Sequence, residues 1–176
     1  NDFTQVNFAL NQKMINLAIE LLDLNSEDEV IDLFCGLGNF TLPISRYVKR
    51  IVGIEGDSGL VERAKENAKM NGVSNASFYK ANLFEDVSGF EWFRGLQYNK
   101  ALIDPARTGA IEIVELLPKL GVEKLVYVSC NPATLARDTA RLVELGFSLM
   151  SAGVMDMFPQ TAHVESIALF IRKKNA

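Results

Sequence analysis

Short apolar runs alternate with amphipathic segments along most of the chain, and this alternation constrains the fold more than any other feature. Five runs are predicted as strands, with helical segments near residues 57–71, 110–120 and 133–145 between and after them. The predicted strands are Glu29–Leu33, Arg50–Glu55, Ala76–Lys80, Lys100–Ile103 and Lys124–Val128. This order predicts an α/β fold, in which helices cover both faces of an open, mostly parallel sheet.

The two ends of the chain follow other patterns. Apolar residues recur at helical spacing over Asn11–Leu22, which predicts an amphipathic first helix. Near the other end, Phe147–Met155 and His163–Arg172 are predicted as strands joined by a short loop. The two must be antiparallel, because a parallel crossover needs a dozen or more residues. The sequence therefore predicts a terminal hairpin.

Composition narrows the function. The 176 residues suit a single domain, and no apolar run approaches the length of a membrane span. Two cysteines, Cys35 and Cys130, make a disulfide framework, a zinc site or an iron–sulfur cluster within the chain improbable and favour the cytoplasm. The net charge of −4 argues against gripping nucleic acid by bulk electrostatics.

Polar residues follow the predicted strands, where open parallel sheets bind ligands. Gly36 and Gly38 allow a tight turn and close backbone approach, although they complete only part of a G-x-G-x-x-G pattern. Glu55 lies nineteen residues beyond Gly36, where an acidic residue would bond the hydroxyls of a ribose. The pair indicates an adenosine-containing cofactor, whereas Glu55 alone could be a solvated carboxylate.

Further strand ends carry candidates with two interpretations each. Asn82 could contact an adenine edge or cap a helix, and Asp104 could reach a bound polar group or form a simple Asp-Pro turn. His163 and Glu165 are two apart and would share one face of a strand. A structural role is favoured for His163, and Glu165 taken alone would be a solvated carboxylate.

Cys130 lies in YVSCNPATLARD, where a predicted strand gives way to a helix that opens with Pro132. The positive end of that helix would favour the thiolate, which is the nucleophilic form. The alternative is a buried structural thiol.

Six stretches in this order resemble one family, the S-adenosylmethionine-dependent RNA 5-methyluridine methyltransferases, and most closely the bacterial 23S ribosomal RNA branch. They are FTQVN, DLFCGLGNFTLP, GIEGD, DPARTGA, VSCNPATLARD and FPQTAHVES. The long form SCNPATLARD is more similar to the ribosomal RNA branch than to the transfer RNA branch.

The resemblance implies a Rossmann-like class I methyltransferase fold, a seven-stranded sheet and one catalytic domain over residues 1–176. It implies S-adenosylmethionine as methyl donor and S-adenosylhomocysteine as product. Together with the glycine pattern, it predicts a cofactor pocket of Gln5, Phe34, Gly36, Asn39, Glu55, Asn82 and Asp104. Cys130 matches the nucleophile that adds to carbon 6 of uracil, and Glu165 the base that removes the proton from carbon 5. Asp104 would also orient the uracil.

Full-length members that the chain resembles carry an N-terminal RNA-binding barrel and, in the ribosomal branch, an iron–sulfur cluster. The sequence is therefore expected to be the C-terminal part of a longer protein, and any cluster would lie in the missing part. The expected partner is ribosomal RNA, with no membrane and no obligatory protein partner.

Alternatives remain open. One alternative is a 5-methyluridine methyltransferase whose substrate is transfer RNA. An adenine amino-methyltransferase would need proline and an aromatic residue where DPAR has Ala106 and Arg107. A nicotinamide-dependent oxidoreductase is disfavoured by Thr41 in place of the last glycine of its fingerprint. A non-catalytic RNA-binding module would leave Cys130 and Glu165 without a role.

Overall fold

The structure is a computed structural model that describes the backbone of residues 2–156 and 164–173 and the side chains of residues 9–154 and 165–173. Its strands are β1 (Glu29–Leu33), β2 (Arg50–Glu55), β3 (Ala76–Lys80), β4 (Lys100–Ile103), β5 (Lys124–Ser129), β6 (Phe147–Asp156) and β7 (Val164–Arg172). Its helices are α1 (Asp2–Leu22), α2 (Thr41–Ser45), α3 (Ser58–Met70), α4 (Glu91–Arg94), α5 (Ile111–Val114) and α6 (Pro132–Glu144).

The strands form one seven-stranded sheet in the order β3-β2-β1-β4-β5-β7-β6. β1 to β5 run parallel, and β7 is inserted antiparallel between β5 and β6. The predicted α/β class, the mostly parallel seven-stranded sheet and the terminal hairpin are thereby confirmed. The strand order reverses at β1 and β4, so the crevice for a ligand is expected beyond the carboxyl ends of these two strands.

Alternating side chains of each inner strand enter two apolar layers, one on each face of the sheet. From β1, Ile31 and Leu33 pack on the α6 face, whereas Val30 packs on the α1 and α2 face. Near-continuous apolar strands of this kind are expected where helices cover both faces of a parallel sheet. The sheet is therefore a buried platform whose edge carries the polar residues.

Some predicted boundaries were wrong. The first helix begins at Asp2 instead of Asn11, and the helix predicted over residues 110–120 spans only Ile111–Val114 before the chain continues in turns. Pro118 lies in that turn region and has no N–H to extend the helix. The short helices α2 and α4 were not predicted, because four or five residues are too few to show a helical period.

A buried ion pair fixes the amino ends of β1 and β4, opposite the expected crevice. The ammonium of Lys100 donates to Asp28 Oδ2 at 2.8 Å and to the carbonyl of Asp23 at 2.6 Å. The side chains of Lys100 and Asp28 are 10% and 2% exposed. Burial alone would raise the pKa of Asp28, but hydrogen bonds from Lys100 and Asn99 outweigh it and lower the pKa below its ordinary value of 3.8.

Replacing Lys100 with methionine should lower the free energy of unfolding near neutral pH by about 3 kcal/mol, because it leaves a buried carboxylate without its cation. The pair contributes stability above the ordinary pKa of Asp28 and loses it as the pH falls through the lowered one. The deficit of the variant should therefore shrink in acid. Urea unfolding at neutral and acidic pH measures this. Lys65→Met, which breaks an exposed pair with Glu62, is the matched control and should change little.

Candidate active site

The pairing of β5 with β7 brings the two predicted catalytic residues to one edge of the sheet. Ser129 pairs with Ser166 in antiparallel register. Cys130, which follows β5, and Glu165, which precedes Ser166 in β7, therefore lie side by side. Cys130 is a half-buried free thiol directly before α6. The register therefore brings the predicted nucleophile and the predicted base together.

A small cavity of about 70 Å³ opens at the same edge. Its lining includes the carboxylates Asp104 and Glu165 together with Phe40 and Val128, and α1 contributes Asn11 and Met14. Two acidic side chains, one directly after β4 and one in β7, thus converge on one pocket. Cys130 is not part of this lining, but its thiol lies close enough to interact electrostatically with both carboxylates.

The protonation of Cys130 differs from the sequence expectation. Burial raises the pKa of its thiol, the Glu165 carboxylate raises it further, and the Arg107 guanidinium acts in the opposite sense. We expected the end of α6 to favour the thiolate. The helix begins only at Pro132, and its modest dipole effect is outweighed by burial and the carboxylates that face the sulfur.

Asp104 follows β4, next to the point where the strand order reverses. Burial raises the pKa of its carboxyl to about 7, and the charges of Glu165 and Asp32 raise it in the same direction. Near neutral pH this side chain is therefore present in both protonation states, and it can donate a hydrogen bond as well as accept one.

A hydrogen bond joins Gly36 and Glu55 where β1 and β2 end. The Gly36 N–H donates to Glu55 Oε1 at 3.1 Å, and the Asp57 N–H donates to Oε2 at 2.9 Å. Gly36 and Gly38 adopt φ values of 55° and 88°, and a Cβ on Gly36 would meet no atom within 4 Å. The glycine turn therefore leaves open space beside a carboxylate of fixed orientation.

The remaining predicted cofactor residues include Phe34 and Asn39, which flank this turn in the sequence. Phe34 has a φ of 64°, unusual for a residue with a side chain, and its ring lies 5.7 Å from that of Phe84. Asn82 is exposed, and its Oδ1 accepts the N–H of Phe84 at 2.9 Å, so it stabilises a turn and caps no helix. Asn39 is exposed, and Gln5 belongs to α1, although its side chain lies outside the described residues, as does His163.

Sequence analysis did not single out Asp32. This carboxyl is 1% exposed in the middle of β1, and its Oδ2 accepts the hydroxyl of Thr41 at 2.5 Å. Burial raises its pKa to about 7. An acidic residue within the apolar run VIDLF was the signal that could have identified it, because burying a carboxyl in a strand is costly.

Among the side chains that the structure describes, those of residues 9–154 and 165–173, no three histidine, cysteine or acidic groups converge as a metal site would require. The helices in that part of the chain lack the combination of length and apolar character needed to cross a bilayer.

A family model for tRNA (uracil-5-)-methyltransferases matches residues 1–174. The chain belongs to this family. Its relatives include a protein of Vesicomyosocius okutanii named 23S rRNA (uracil(1939)-C(5))-methyltransferase RlmD, which is 72% identical over 98% of the chain. A protein of the same name from Francisella tularensis is 57% identical over 97% of it. The chain covers 39% and 38% of the lengths of these relatives.

Solved structures agree with this assignment. The tRNA (uracil-54, C5)-methyltransferase of Pyrococcus abyssi, solved in complex with S-adenosyl-L-homocysteine, matches with a TM-score of 0.72 and 28% identity, over 89% of this chain and 37% of that one. Magnesium protoporphyrin IX methyltransferase from Synechocystis, at 15% identity and a TM-score of 0.73 over 98% of this chain and 85% of that one, shares the fold alone.

Proposed function

We propose that this chain is the catalytic part of an enzyme that transfers a methyl group from S-adenosylmethionine to carbon 5 of a uridine in 23S ribosomal RNA. The proposal is carried by one observation: β5 and β7 bring Cys130 and Glu165 together beside the cavity that Asp104 lines. The substrate follows the relatives at 57% and 72% identity, which are named for 23S ribosomal RNA.

The turn at Gly36 fits an adenosine-containing methyl donor. The open space at this glycine admits a ligand close to the backbone, and the neighbouring Glu55 is suited to a ribose. Each oxygen of its carboxylate already accepts one backbone N–H, but a carboxylate oxygen has a second acceptor position for a hydroxyl. When bound, the donor supplies an activated methyl group on a sulfonium.

The residues of the chain then make uracil reactive. The Cys130 thiolate adds to carbon 6, and the electron pair of the 5,6 double bond moves towards the carbonyl at position 4, so that carbon 5 becomes nucleophilic. Asp104 in its protonated form donates a hydrogen bond to a uracil carbonyl and fixes the ring. After methylation, Glu165 takes the proton from carbon 5, the double bond re-forms, and the sulfur leaves carbon 6 as a thiolate.

Trapping tests this function. The full-length protein should form a covalent complex with 23S ribosomal RNA that carries 5-fluorouridine, because fluorine cannot leave carbon 5 as a proton does. The complex should survive denaturation and require S-adenosylmethionine to accumulate in its methylated form. No adduct with ribosomal RNA, but an adduct with fluorinated transfer RNA, would support the second substrate instead.

Glu55→Gln should weaken the binding of S-adenosylhomocysteine about 10- to 100-fold, since charge-assisted bonds contribute about 1.5–3 kcal/mol. The amide also presents a donor to one of the two N–H groups that the carboxylate now accepts. Calorimetry measures the dissociation constant. Glu62→Gln, at an exposed position of α3, is the matched control and should bind as the wild type does. Unweakened binding by the Glu55 variant would contradict this role.

A further inference from the structure

The loop after β4 (residues 104–110, here called the β4 loop) is attached to α6 by side chains of that helix and of its N-cap residue. The carbonyl of Arg107 accepts hydrogen bonds from Asn131 Nδ2 at 2.9 Å and Thr134 Oγ1 at 3.1 Å. The carbonyl of Thr108 accepts one from Arg137 Nη2 at 3.0 Å. Successive carbonyls of the loop thus face the first turns of the helix.

Asp138 lies at the centre of this attachment and is 0% exposed. Its Oδ2 accepts the Ala110 N–H at 2.8 Å and the Tyr127 hydroxyl at 2.5 Å, and its Oδ1 accepts Arg137 Nε at 3.1 Å. Burial raises the pKa of Tyr127, and its bond to Asp138 raises it further, so the phenol remains a donor. A buried carboxylate is costly unless it is paired. The bonds from Ala110 and Tyr127 join α6 to the β4 loop and to β5, whereas the bond from Arg137 lies within α6.

Gly109 shows how closely the two elements approach. Its φ is 78°, and a Cβ at this position would lie 2.6 Å from Arg137 Nη2 and 2.9 Å from Asp138 Oδ2. A side chain would force the β4 loop away from α6. The loop therefore has little freedom to move relative to the helix while these contacts remain.

The attached elements carry groups that act on the same uracil in the proposed function. The β4 loop begins with Asp104, and α6 begins two residues after Cys130. The same loop carries Arg107, the cation that favours the Cys130 thiolate. Any displacement of the loop from the helix would change the separation of these groups, to which covalent catalysis is sensitive.

We propose that Asp138, with Arg137, is a positioning residue that holds the β4 loop against α6 and so sets Asp104 and Arg107 relative to the Cys130 thiol. This inference rests on the proposed function, since it concerns the geometry around the uracil. Neither side chain lines the cavity at the sheet edge, so the proposed effect on the reacting groups is exerted through the loop.

The test uses Asp138→Asn and Arg137→Met in the full-length protein. Asparagine keeps the shape of Asp138, but its amide NH₂ would face groups that are themselves hydrogen-bond donors to the carboxylate. Both variants should slow adduct formation with 5-fluorouridine RNA about 10- to 100-fold per folded molecule, as expected for a small misplacement of reacting groups. Binding of S-adenosylhomocysteine should change much less than this rate, because Gly36 and Glu55 lie on other elements. Arg137→Lys should restore part of the rate.

Arg141→Met is the matched control, since this arginine lies one turn further along α6 and pairs with Glu115 and Glu144 at the surface. It should form the adduct at the wild-type rate. A wild-type rate per folded molecule in Asp138→Asn, with only a lower melting temperature, would overturn the inference and leave a structural role. If Asp138→Asn fails to fold, Arg137→Met decides, because that side chain is 46% exposed. Absence of any adduct with the wild type would overturn the proposed function and this inference together.

Discussion

Replacing Cys130 with alanine should abolish methyl transfer, with kcat lowered more than about 10⁴-fold, as is typical when a covalent nucleophile is removed. Carbon 5 of uracil is a poor nucleophile until a thiolate has added to carbon 6, and alanine has no electron pair to add. The side chain is half-buried at the edge of the sheet, so its loss should hardly affect folding. Methyl incorporation into RNA measures the loss of turnover, and trapping with 5-fluorouridine RNA measures the loss of the covalent adduct.

Cys35→Ala is the matched control for this prediction. The Cys35 thiol is 7% exposed and packs with Phe78 and α3 residues, away from the cavity at the sheet edge. This variant should still form the covalent adduct, with some loss of stability. Calorimetry should show that Cys130→Ala still binds S-adenosylhomocysteine. Methyl transfer at the wild-type rate by Cys130→Ala would refute the covalent route and favour chemistry at an amino group.

The sequence predicted the sheet well because its strands are recognisable locally. The bounds predicted for β1 to β4 agree with the structure to the residue, and three of these runs, β1, β2 and β4, are mostly apolar. The helix after β4 was overpredicted for a related reason. Leu116, Leu117 and Leu120 recur at helical spacing and are buried or partly buried, but Pro118 interrupts the run and the chain makes turns.

The electrostatics of the site could not be predicted in the same way. The pKa of Cys130 depends on Glu165, which lies 35 positions away in the sequence and reaches the thiol only through the β5 and β7 register. The bonds of Asp138 likewise join a helix to a loop 28 residues earlier. The residue types indicated the chemistry, whereas these interactions depend on contacts between residues that are far apart in the sequence.

Replacing Glu165 with glutamine should separate the two halves of the proposed reaction. An amide cannot take the proton from carbon 5, so the methylated adduct cannot expel the sulfur. With ordinary uridine RNA, a covalent protein–RNA complex should accumulate, and turnover should fall about 10²- to 10⁴-fold, the usual contribution of a general base. A denaturing gel measures the complex, and methyl release into free RNA measures turnover.

The same substitution should help the first half of the reaction. Glu165 raises the pKa of the Cys130 thiol, so its neutral replacement should lower that pKa and move the pH profile of adduct formation to lower pH. Below the pKa, the rate rises with pH because the thiolate fraction rises, and the variant should therefore react faster than the wild type near neutrality. Glu144→Gln, an exposed position on α6, should leave both halves unchanged. If the Glu165 variant turns over normally, or never forms the adduct, this carboxylate is not the base. Loss of the base alone should leave the covalent adduct in place while methylated RNA is no longer released.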